Sequence, residues 1–90
     1  MYVSGSSCDH DGKDYWGHNI KVTPNVGNAT KCRTLCVAQA GCMAWTYEKS
    51  NKNCHLKKTF DKVLDNLDTV SGPKECKGNY FQIIKLSALK

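Results

Sequence analysis

Cys32-Arg33-Thr34-Leu35-Cys36-Val37-Ala38-Gln39-Ala40-Gly41-Cys42-Met43-Ala44-Trp45-Thr46-Tyr47, followed by the polar Lys49-Ser50-Asn51-Lys52-Asn53 and then Cys54-His55-Leu56, is the stretch that decides the fold. Its first part predicts a helix from about Ala29 to Ala40, because Asn28 is a good N-cap and Gly41 suits the left-handed residue beyond a helix end. Ala29, Cys32, Leu35, Cys36 and Ala40 fall on one helical stripe, so both cysteines face the same neighbour. The stripe is narrow, and such a helix needs tertiary contacts or bonds to persist. Past Gly41, Met43, Trp45 and Tyr47 alternate as in a half-buried strand. The polar run is a turn, and residues 54 to 56 return as the second strand of a hairpin.

The chain has 90 residues and six cysteines, and spacing alone does not choose among their pairings. Cys32 and Cys36 lie one helical turn apart, where they point toward a partner element instead of closing a good bond between themselves. Cys42 can reach back to Cys36, and Cys54 can reach Cys32. Cys8 and Cys76 remain, and a bond between them would bring the domain ends together. Cross-links suit this composition, since Leu, Ile, Val and Phe supply only 17 residues and the net charge of +5 is too modest to signal disorder. An even number of cysteines in a short chain favours a secreted protein over a cytosolic one with reduced thiols.

Outward from the centre, residues 1 to 7 read as a linker. Residues 8 to 17 read as loop-rich, with Asp9, Asp11, Gly12 and Asp14 as turn formers. Ile20 to Val22 suggests a short strand ended by Pro24. Phe60, Val63, Leu64 and Leu67 suit a short helix or an ordered loop, and Ser71-Gly72-Pro73 is expected to break the chain. Residues 77 to 90 form an extension that either adds a strand, with Tyr80 to Leu86 the favoured candidate, or links to a next module. No uninterrupted apolar run exceeds four residues, so no membrane insertion is expected. Met1 to Ser7 lacks the basic and apolar regions of a signal peptide, which suggests a fragment of a longer secreted protein.

Cys32-x3-Cys36-x5-Cys42-Met43-Ala44-Trp45-Thr46-Tyr47, then Cys54-His55-Leu56-Lys57 and Val70-Ser71-Gly72 before Cys76, resembles a PAN/apple domain over residues 8 to 76. Gly17-His18-Asn19-Ile20 resembles the Gly-x-Asp-Ile/Leu segment of that family, with Asn19 where an acid is common. The resemblance implies a small disulfide-rich α+β fold, one main helix packed on a curved antiparallel β-sheet. It also implies the bonds Cys8–Cys76, Cys32–Cys54 and Cys36–Cys42, the last marking the apple subtype. The style of the first loop, Asp14-Tyr15-x-Gly17-His18, is more similar to apple domains of apicomplexan micronemal adhesins than to those of coagulation-type protease zymogens. The implied protein is a non-enzymatic adhesive module, held in micronemes before secretion and part of a multi-apple chain. Its expected partner in host-cell attachment is a host-cell surface protein or glycan, or another secreted adhesin. The alternative is a zymogen apple domain that recruits a protease or its substrate.

Lys49, Lys52, Lys57, Lys58 and Lys62 fall in a stretch whose one acid is Asp61. A hairpin could gather several of them into a patch for sulfated or sialylated glycans or an acidic protein surface. The plainer reading is a solvated edge that resists aggregation. Trp16 is expected to be exposed and is a ligand candidate, whereas Trp45 reads as core. Asn28-Ala29-Thr30 is an N-glycosylation sequon, compatible with a capping role for Asn28. A zinc site would show two cysteine knuckles, and only Cys32-x3-Cys36 qualifies. Counted as an EF-hand from Asp9, the positions needing Gly and Glu hold Asp14 and Ile20. His10, His18 and His55 belong to no catalytic motif, and pairing uses every thiol, so neither enzymatic activity nor a cofactor is expected. No aromatic and basic motif points to nucleic acid.

Overall fold

Asn28 opens the helix from an extended conformation, its Oδ1 accepting a hydrogen bond from Lys31 N at 2.9 Å. In the computed structural model, which describes residues 8 to 75, helix α1 runs over Ala29–Ala38. It stops short of the expected Ala40. Gln39 is the cap, and the left-handed residue, Gly41 at φ +84, comes after the chain has already turned. The Cys36–Cys42 bond explains the early stop, for it holds the two Cα atoms 5.3 Å apart. A continued helix would carry residue 42 about 9 Å along its axis.

Around α1 the chain forms β1 (His10–Trp16), β2 (Asn19–Thr23), β3 (Ala44–Glu48), β4 (Asn53–Lys57) and β5 (Lys62–Pro73). They make one five-stranded antiparallel sheet in the order β1-β5-β3-β4-β2. Trp45 and Tyr47 from β3 and Cys54 and Leu56 from β4 form the core with Val26, Cys32, Cys36 and Cys42. A bond from Cys32 to Cys54 ties the helix to β4. Both aromatic groups keep a polar partner: Trp45 Nε1 donates to Pro73 O at 2.9 Å, and Tyr47 Oη donates to Val26 O at 2.5 Å.

The structure corrects five of the sequence expectations. Residues 10 to 16 are a strand instead of a loop: they pair with β5 on both sides of a register shift at Gly12, φ +80, where residues 66 to 69 of β5 stand opposite that one glycine. Residues 62 to 73 are one strand, so Lys62 to Asp68 is neither helix nor loop while Phe60 and Asp61 lie in the loop before it, and Ser71-Gly72-Pro73 sits inside the ladder opposite Ala44 to Thr46. Met43 lies before β3 and is 60 % exposed. Strand β3 is covered on both faces, with Ala44 and Thr46 as buried as Trp45 and Tyr47.

That second cover comes from β1. Tyr15 N lies 3.2 Å from both Thr46 Oγ1 and Ser71 Oγ, whose hydroxyls are 2.7 Å apart. Ser71 Oγ and Thr69 Oγ1 each donate to Lys13 O, at 2.9 Å and 2.8 Å. Buried hydroxyls thus dock the curled strand without leaving polar groups unpaired. The linker at 1 to 7, Cys76 as the expected partner of Cys8, and the candidate strand from Tyr80 to Leu86 lie outside the described residues.

Candidate functional site

A period of two along β3 and β4 sends Trp45, Tyr47, Cys54 and Leu56 to the helix and Thr46, Glu48, His55 and Lys57 to the opposite face. The end of β1 and the turn Trp16-Gly17-His18 overhang that polar face. Between them is a groove of about 360 Å³, lined also by Asp14, Asn19, Asn66 and Thr69.

Lys57 is only 3 % exposed. Its Nζ donates to Asn19 Oδ1 at 2.5 Å and to Gly17 O at 3.3 Å. Burial pushes its pKa below the ordinary value, and the nearby Asp14 carboxylate opposes that shift. The hydrogen bonds continue in one direction. Asn19 Nδ2 lies 3.5 Å from His55 Nδ1, and His55 Nε2 lies 3.1 Å from Glu48 Oε1. Lysine donates to amide, amide to imidazole, and imidazole to carboxylate, an order that a neutral His55 protonated on Nε2 satisfies at every step. The His55 bond holds the Glu48 carboxyl below the usual carboxylate range, with Asn51 and Asn53 assisting.

Asp14 differs from Glu48. Among the described residues its carboxylate has no hydrogen bond or ion pair, and it borders the groove. Trp16 stands at the rim, 50 % exposed, with Lys62 Nζ 5.3 Å from its ring centroid.

The expected lysine patch does not include Lys57 as an exposed member. Lys57, expected on a solvent edge, is buried at the groove floor, because Gly17 and Asn19 fold over it. Lys49 is exposed but pairs with Asp11 at 2.8 Å. Lys52 occupies the β3–β4 turn at φ +58, and Lys58 is exposed beside the His18 carbonyl that its backbone N–H reaches. Of the sequence candidates, Trp16 and Lys57 share the groove, and Lys49, Lys52 and Lys58 are not among its lining residues. Asp14, Asn19, Glu48 and His55 were not anticipated. A signal for the last two is present in the sequence: polar residues at 46, 48, 55 and 57 alternate with the apolar positions of the hairpin. Asn28 is exposed. Among the described residues no three His, Cys, Asp or Glu side chains are placed to hold a metal ion.

A helix fastened by one disulfide to an antiparallel sheet and by another to the turn that follows it, with a polar groove on the sheet's far side, defines a small cross-linked α+β domain. The family model described as the PAN domain matches residues 7 to 82, and the chain belongs to that family. Microneme antigen L2 of Sarcocystis muris is 33% identical over 55 residues, which are 61% of this chain and 40% of that protein. The solution structure of the two N-terminal apple domains of Toxoplasma gondii microneme protein 4 matches with a TM-score of 0.69 at 29% identity. That match covers 79% of this chain and 45% of the other. The chain therefore spans less than half the length of either relative. Its helix on a five-stranded antiparallel sheet is the apple fold that the sequence resemblance implies.

Proposed function

We propose that this domain is a non-enzymatic adhesive module of a secreted micronemal protein, and that its groove contacts a glycan on the host-cell surface during attachment and invasion. The observation that carries the reading is the combination at one opening of the Asp14 carboxylate, unpaired among the described residues, the Lys57 ammonium and the rim indole of Trp16. A carboxylate accepts, an ammonium donates, and an indole offers an apolar plate, which together match the alternating hydroxyl and C–H surface of a sugar. The groove's size is at the lower end of small-ligand sites. Asp14 and Glu48 favour a neutral sugar over the sulfated or sialylated ones that a lysine patch would take. The similarity to microneme proteins supports the micronemal reading over the zymogen one, and the two-apple relative supports a place in a multi-apple chain. In this reading the module spans residues 8 to 76, is closed by Cys8–Cys76, and carries an N-linked glycan at Asn28.

The test is capture of host cells and of arrayed neutral glycans by the intact chain and by Trp16→Ala. The expected result is glycan-dependent capture, reduced by periodate treatment of the cells and lost in the variant. Capture that survives both treatments would place the contact elsewhere and favour a protein ligand.

A further inference from the structure

Trp16 stands on a turn with an uncommon backbone. Gly17 lies at φ +104, and His18, which has a side chain, lies at φ +56. The left-handed region is disfavoured for a residue with a Cβ, and such conformations persist where the surroundings over-determine them.

The surroundings here come from one short segment, residues 57 to 62, in which Lys57 Nζ donates to Gly17 O at 3.3 Å. His18 Nε2 lies 2.6 Å from Asp61 Oδ1. Asp61 N donates to Trp16 O at 2.8 Å, and Lys58 N donates to His18 O at 3.1 Å. At Gly17 a Cβ would stand 3.0 Å from Asp61 Oδ2, so the carboxylate is packed against a position where only glycine leaves it room. Lys62, the next residue, places its Nζ over the Trp16 ring. Every one of these contacts joins the Trp16-Gly17-His18 turn to the same few residues.

We infer that His18 and Asp61 form a clamp that fixes the Trp16 indole at the groove rim before any ligand arrives. His18 and Asp61 are then positioning residues, and Trp16 is the group that touches ligand. The pair is about half exposed, 47% and 54% for its two side chains, and exposed pairs add little to global stability. Its effect is local: strand pairing holds the two ends of the turn, the pair fixes what lies between them, and the ordering cost of binding falls accordingly. A neutral imidazole donating from Nε2 is sufficient. The consequence for binding rests on the groove reading above, but the clamp is testable without a ligand.

The experiment is time-resolved fluorescence anisotropy with acrylamide quenching on the full 90-residue chain. Trp45 is fully buried, so fast local depolarisation belongs to Trp16, and Trp16→Phe supplies the Trp45 signal alone. Asp61→Ala is expected to raise the amplitude of the fast component about twofold, with a parallel rise in quenching. Acrylamide is uncharged, so it does not respond to the lost carboxylate charge itself. His18→Asn removes the imidazole while keeping a residue that tolerates the left-handed region. It should loosen Trp16 equally, and it covers the case in which Asp61→Ala fails to fold. Asp61→Asn retains an acceptor and should keep Trp16 as ordered as in the parent chain. Unchanged depolarisation and quenching in both Asp61→Ala and His18→Asn would overturn the clamp, as would loosening in Asp61→Asn equal to that in Asp61→Ala. If the clamp variants loosen Trp16 while Trp16→Ala still captures glycan, the groove reading fails and the clamp stands.

Discussion

Trp45 lies so close to Gly72 that a Cβ on the glycine would stand 2.8 Å from the indole Cζ2 and 3.2 Å from Cε2. The two residues are partners in the β3–β5 ladder, and the Trp45 Nε1 bond to Pro73 O keeps the ring from sliding away. Gly72→Ala is expected to cost about 1–3 kcal/mol through overpacking of a full core. The denaturant midpoint measures this. A midpoint equal to that of the parent chain would mean that the ring has room the structure does not show.

The buried residues of α1 are Cys32 and Cys36. Its attachment to the sheet therefore rests on its disulfides more than on an apolar stripe. In the chain-entropy view, closing the loop from Cys32 to Cys54 contributes roughly 3 kcal/mol. Replacing both by alanine is expected to lower the melting temperature sharply and to reduce the helical circular dichroism signal before the sheet is lost. Equal melting temperatures would contradict it.

Glu48 provides a pH test. Its folded pKa lies below the ordinary 4.5 because His55, and then Asn51 and Asn53, hydrogen-bond the carboxylate. A lowered carboxyl contributes stability that is complete above the unfolded value and is lost as pH falls through the folded one. Glu48→Gln is therefore expected to flatten the acid side of the stability curve, the gap from the parent chain being widest near neutrality and closing in acid. Urea unfolding at stepped pH reads the gap, and a gap independent of pH would refute the linkage.

The helix and the β3–β4 hairpin are legible in the sequence because their signals are local: a capping Asn28, cysteines one turn apart, and apolar residues in phase along two short strands. Strands β1 and β5 are not, because their partners are distant in sequence: β1 pairs with β5, and β5 lies between β1 and β3. Asp9, Asp11, Gly12 and Asp14 are turn formers in isolation, and Pro73 reads as a stop until its carbonyl is seen accepting from Trp45. The groove shares this limit. Alternating polar residues at 46, 48, 55 and 57 look like a solvated sheet face, and what encloses them is β1 folding across. Lys57 is the sharpest case, since its acceptors at Gly17 and Asn19 lie 40 and 38 positions earlier in the chain. A run of lysines gives no hint that one of them is buried.

That burial separates two lysine experiments that sequence would treat as one. Lys57→Met removes the ammonium from the groove floor but fills its space with a flexible apolar chain, and it also removes the penalty of a desolvated cation. The fold is expected to survive, with glycan or host-cell capture lost through faster dissociation. Lys52→Glu with Lys58→Glu reverses charge at two exposed positions outside the groove. Attraction between exposed charges is screened over about 8 Å at physiological ionic strength, so this double variant should slow association at low salt and match the parent chain at high salt. Surface-capture kinetics on immobilised host-cell glycoproteins at two salt concentrations distinguish the outcomes. If the Lys52 and Lys58 variant loses more binding than Lys57→Met, and loses it at both salt concentrations, the exposed basic edge carries the contact and the groove does not.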